Sequence, residues 1–144
     1  MKVVDFYGVR VWLLDSVTEG GPEQSGELVI TGSHGGVSAG RYAAAYRPRL
    51  VAFNDAGIGK DEAGVAGLAL LERDGIAAVA VSAASARIGE AADTWAGGVI
   101  SRVNAPAAGL GFRVGVPLCQ AVKAFVERGE GSASGVSRTR ETLN

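Results

Sequence analysis

Apolar and polar positions along the chain follow two rhythms, one of strand length and one of helical period, and their order predicts the fold. Residues 9–14 (VRVWLL) read as a strand, followed by the acidic, Gly- and Ser-rich loop DSVTEGGPEQSGE. Residues 27–31 (ELVIT) form a second, more buried strand. A helix capped by Ser38 then runs through three alanines to about Arg47, where Pro48 stops it. Residues 49–53 (RLVAF) supply the third strand.

Beyond it, Ala63, Ala66, Gly67, Leu70 and Leu71 recur at helical spacing, with Asp61 as the expected N-cap and Gly75 as the residue past the C-terminus. Residues 76–82 (IAAVAVS) are nearly continuously apolar, as in a strand covered on both faces. Residues 90–95 suggest a short helix and 99–103 (VISRV) a fifth strand. Residues 116–128 suggest a closing helix with Pro117 in its first turn. The polar stretch 129–144 is expected to be a flexible tail. Strands alternating with helices require crossovers, so the expected fold is a single α/β domain over residues 1–128. It should have three layers, α/β/α, around a mainly parallel sheet of about five strands.

Composition narrows the function. With 144 residues, 47% of them hydrophobic and 20% charged, the chain is globular in character and large enough for its own core. A net charge of −1 without a Lys/Arg cluster argues against nucleic acid as a partner. The opening MKVVDFYGVRVW is interrupted by Asp5 and Arg10, and no uncharged stretch reaches bilayer length, so no membrane partner is expected. One cysteine, Cys119, excludes an internal disulfide framework and a thiolate-rich zinc site, which suits a cytoplasmic protein.

Ligands in open parallel sheets bind beyond the carboxyl ends of the strands. Those ends carry Ser33, His34, Gly35 and Gly36 after the second strand, Asn54 and Asp55 with Lys60 close behind after the third, and Ser82 with Arg87 after the fourth. Asn104 follows the fifth. His34, the only histidine, is the candidate acid/base, with Asp55 as the group that orients its ring. Gly35 and Gly36 could offer backbone donors at a helix start, while Lys60 or Arg87 anchors an anion. For each residue the plainer alternative is ordinary turn chemistry.

Two motif matches fail on mechanism. GIGKD, residues 57–61, partly matches a phosphate loop but has Asn54 where a glycine is needed and Asp61 where a hydroxyl is needed. GVSAG, residues 36–40, matches a nucleophile elbow, but SHGG separates it from its strand and the histidine precedes Ser38. No cofactor is called for, and a lone histidine does not make a metal site. The expected function is a small-molecule enzyme, working by proton transfer or hydrolysis on a small anionic or carbonyl-bearing metabolite. The alternative is a non-catalytic ligand-binding or assembly subunit whose glycine and alanine stripes pack protomers together, and homo-oligomers fit both.

Overall fold

The computed structural model describes residues 1–129; of the tail expected from 129 onward, residues 130–144 lie outside the described residues. Six strands form one sheet: β1 (Lys2–Phe6), β2 (Val9–Leu14), β3 (Leu28–His34), β4 (Leu50–Asn54), β5 (Ala77–Val81) and β6 (Ile100–Val103). They lie in chain order across the sheet. Among the described residues five α-helices accompany them: α1 (Val37–Tyr46), α2 (Ala66–Arg73), α3 (Ala91–Gly97), α4 (Ala105–Gly109) and α5 (Leu118–Glu127). The result is a single α/β domain built on a mixed sheet.

The mixture corrects the expected mainly parallel sheet of five strands. The pairings β2/β3, β3/β4 and β4/β5 are parallel, but β1/β2 and β5/β6 at the two ends are antiparallel. β1 joins β2 through a two-residue hairpin turn at Tyr7 and Gly8, both with positive φ (52° and 82°). The Gly8 amide donates to Asp5 Oδ1 at 2.9 Å. Asp5, which interrupts the apolar pattern of the opening stretch, pairs with Arg10 in the ladder and uses its side chain to hold the turn. β6 runs against β5 because the connection over residues 82–99 returns to the end of β5 at which it began, where the Ser82 amide donates to the Val99 carbonyl at 2.9 Å.

Alternate residues of the central strands feed two apolar clusters, as the two-residue period of a strand requires. Leu28, Ile30, Leu50, Ala52 and Val79 pack with Leu118, Val122 and Phe125 of α5. Val29, Val51, Phe53, Ala78 and Ala80 pack with Ala43 and Tyr46 of α1 and Leu68 and Leu71 of α2. All five residues of β4 and of β5 are buried, which explains the continuous apolar runs.

The helix ends differ from the expected caps. Gly36, not Ser38, is the N-cap of α1, and Ser38 lies within the helix. Asp61 is not a cap: it has φ 57° inside a 3₁₀ segment, Lys60–Val65, and α2 starts only at Ala66. Pro117 is the N-cap residue of α5. The small residues of α1 and α2 serve packing within the chain. A Cβ on Gly40 would stand 2.9 Å from Gly67 Cα, and one on Gly67 would overlap the Gly36 carbonyl oxygen. Glycine at both positions lets the two helices approach to backbone contact.

Candidate functional site

The parallel register sets the carboxyl ends of three strands side by side: His34 pairs with Asn54, and Asn54 with Val81. Ser33, His34, Gly35, Gly36, Asn54, Asp55 and Ser82 therefore occupy one edge of the sheet, and the loops bearing Lys60 and Arg87 leave from it. Asn104 does not belong there. Because β6 is antiparallel, Asn104 stands at the opposite edge, buried, where its side chain receives the Ala78 and Ala107 amides and donates to the carbonyls of Leu68 and Ile76.

Three of the edge residues make hydrogen bonds within the chain. Asn54, fully buried, donates to the Ala86 carbonyl at 2.9 Å and accepts the Ala56 amide at 2.8 Å. Asp55, 4% exposed, receives the Gly57 and Ala83 amides on Oδ1 at 2.7 and 3.0 Å, and the Ser101 hydroxyl on Oδ2 at 2.7 Å. Such donors stabilise a buried carboxylate without a cation. Asp55 thereby ties the loop after β4 to the loop after β5. Ser82 contributes its backbone, its carbonyl receiving the Ser85 amide and hydroxyl. Ser101 shows in sequence only as a polar residue inside a strand, with no signal of its partner.

The loop after β4 is locally strained. Ala56, Ile58, Asp61 and Glu62 all have positive φ (52°, 68°, 57° and 56°) without being glycine. Such geometry costs roughly 1–2 kcal/mol per residue and persists only where the surroundings enforce it. Here the bonds from Asn54 and Asp55, and the Gly64 amide donating to the Ile58 carbonyl at 2.8 Å, supply that constraint. Lys60 is exposed at the start of the 3₁₀ segment of this loop.

Among the described residues His34 and Asp55 share no hydrogen bond. The Nδ1 of His34 accepts the Gly36 amide at 3.2 Å, which leaves Nε2 as the ring nitrogen available to donate. Gly36, not Asp55, holds the imidazole. The Gly35 amide donates to the Asn54 carbonyl at 3.0 Å. Both amides expected to cradle an anion thus already donate within the chain, and an anion would have to displace those bonds.

His34 is exposed and lines a cleft of about 150 Å³ together with Ser16, Thr18, Ser33, Ser38 and Tyr42. Ser33 Oγ accepts the Val17 amide at 2.9 Å and keeps its own proton for another acceptor. Ser16 and Thr18 share a hydroxyl–hydroxyl bond of 2.7 Å. The loop carrying Ser16 and Thr18 read in sequence as plain connection, and Tyr42 as one more helical residue. Arg87 lines a separate cleft of about 270 Å³ with Asp93, whose carboxylate receives the Arg87 amide at 2.7 Å. Among the described residues no group of three or more His, Cys, Asp or Glu side chains is placed to hold a metal ion, and no helix is long and apolar enough to cross a membrane. Comparison with known protein families, curated proteins and solved structures finds no significant match to this chain.

Proposed function

We propose that the protein is a small-molecule enzyme, working by proton transfer or hydrolysis on an anionic or carbonyl-bearing metabolite, in which His34 polarises the substrate by hydrogen-bond donation from Nε2. One observation carries this reading: the only imidazole of the chain lies at the carboxyl edge of the sheet, in a cleft where several hydroxyl groups stand beside Val17 and Ala39, with Nδ1 occupied by Gly36 and Nε2 left to donate. In the ground state Nε2–H would polarise the carbonyl and Ser33 would supply a second donor. The donors proposed here are side chains rather than the Gly35 and Gly36 amides, and Asp55, Asn54 and Ser82 support the edge without touching substrate. Lys60 and Arg87 stand on separate loops that leave the same edge of the sheet, outside the His34 cleft.

The wider setting belongs to the same proposal. The domain is taken as three-layered, since apolar clusters containing helical residues occupy both faces of the sheet. A cytoplasmic address follows from the lone cysteine, and a homo-oligomer from the open edge at β1, where Val3 and Tyr7 are exposed. Sedimentation equilibrium measures that state directly, and a monomer at high concentration removes the oligomer from the proposal.

The test of the reaction uses a panel of small esters and of carbonyl compounds with exchangeable α-protons, incubated in deuterated water. Hydrolysis and deuterium uptake are both read by NMR. His34→Gln should keep the fold and lower turnover by about 10²-fold or more, the usual cost of losing a preorganised donor to a developing oxyanion. Equal turnover by wild type and His34→Gln would refute the role of His34. Ligands that bind without turning over would favour the non-catalytic binding subunit.

A further inference from the structure

The cleft beside His34 has a neighbour along the same helix. A second cavity of about 490 Å³ opens between α1 and the segment 18–25, and the two cavities share Thr18 and Tyr42 as lining residues. Its volume falls within the roughly 300–1,000 Å³ typical of small-molecule sites. Tyr42 lies four positions after Ser38, and Ala45 and Tyr46 lie three and four after Tyr42, so one face of α1 walls both cavities. The ten residues of α1 span about 15 Å, with His34 before its first turn and Arg47 at its C-cap.

The chemistry changes along that length. At the His34 end the hydroxyls of Ser16, Thr18, Ser33 and Ser38 stand beside Val17 and Ala39. In the middle the lining is aromatic: Tyr42 is 51% exposed, and Tyr46 is only 7% exposed. The Tyr46 hydroxyl donates to the Val17 carbonyl at 3.2 Å, and its ring lies so close to Gly20 that any side chain there would overlap it. This wall is therefore fixed. At the far end stands exposed Arg47, which donates from Nη2 to the Asp74 carbonyl at 3.1 Å. A guanidinium carries five N–H donors in a fork that matches a carboxylate.

We infer that the two cavities form one elongated groove for a small aromatic carboxylate. Its ring packs on Tyr42, its carboxylate pairs with Arg47, and its reactive carbonyl reaches His34. The inference deepens the proposed function and rests on it only for where the reactive end lies. It also moves the anion anchor from Lys60 or Arg87 to Arg47.

The test is an amide-resolved NMR titration with hydrocinnamate and its neutral analogue, hydrocinnamyl alcohol, neither of which carries a reactive carbonyl for His34. Hydrocinnamate should shift the amide signals of Gly20, Gly21 and Ala45. Ala45→Trp, at an exposed position, should fill the groove and weaken binding about tenfold or more. Arg47→Met should weaken the acid about tenfold and leave the alcohol unchanged, as loss of a charge-assisted pair requires. Should Arg47→Met not fold, Arg47→Lys, which keeps the charge but loses the fork, should weaken the acid selectively. Shifts confined to another surface, or unchanged affinity in Ala45→Trp, would overturn the groove. Groove binding together with turnover insensitive to His34→Gln would overturn the His34 reading alone. His34-dependent turnover without groove shifts would overturn the groove alone.

Discussion

A neutral imidazole whose Nδ1 already accepts an amide has one chemical freedom left, the proton on Nε2. For His34 that state is set by a bond two residues away, from Gly36. Nitrogen NMR shifts should accordingly report Nδ1 as the unprotonated nitrogen at high pH, and the reverse tautomer would remove the donor role assigned to Nε2. Tyr46 offers a second test at this scale. Burial pushes its phenol from the usual 10.0 up to about 12, because the interior disfavours the phenolate. The folded value lies above the unfolded one, so the contribution to stability is complete below pH 10 and is lost as pH rises toward about 12. In an alkaline denaturation series, Tyr46→Phe should lose less stability over that window than wild type, and parallel curves would show that Tyr46 ionises without coupling to the fold.

Elements were legible in sequence where burial alone decides them, and illegible where direction or a long-range partner decides. IAAVAVS and RLVAF are apolar because β5 and β4 are covered on both faces, and a reader of pattern finds them. Alternation says nothing of which way a strand runs. Asn104 was therefore assigned to the wrong edge, and β1 was hidden by an aspartate whose side chain holds its turn. The candidate edge itself was legible from the polar residues that end β3, β4 and β5. The roles were not, since Asp55 and Ser101 meet across 46 positions. That bond predicts a graded response. Asp55→Ala should cost about 2–4 kcal/mol, leaving the Gly57 and Ala83 amides without their carboxylate, whereas Asp55→Asn, which retains an acceptor, should cost less. Equal losses in urea melts would mean that the two loops do not depend on these bonds. Between α1 and α2, Gly67→Ala must move a backbone carbonyl, so it should destabilise by more than the roughly 1–3 kcal/mol of ordinary overpacking.

At the scale of the whole molecule, the two apolar clusters share the same strands: β3, β4 and β5 send alternate residues to each. Neither cluster can lose its packing without disturbing the strands that hold the other, so the described domain should unfold as one cooperative unit. The chain carries its own reporters, since Trp12 packs against the cluster that contains Phe53, and Trp95 against the one that contains Phe125. Retaining one tryptophan at a time, with Trp95→Phe and Trp12→Phe, separates their fluorescence, and the two denaturant curves should each match the midpoint from circular dichroism in the same variant. Phe53 and Phe125 are both fully buried. Phe53→Ala should therefore remove about 3–5 kcal/mol from a transition seen equally by both reporters, although only Trp12 is on its side of the sheet, and Phe125→Ala should do the same from the other side. Reporter midpoints that split from circular dichroism, or a Phe53→Ala loss seen by Trp12 alone, would show that the faces fold separately and that the sheet does not couple them.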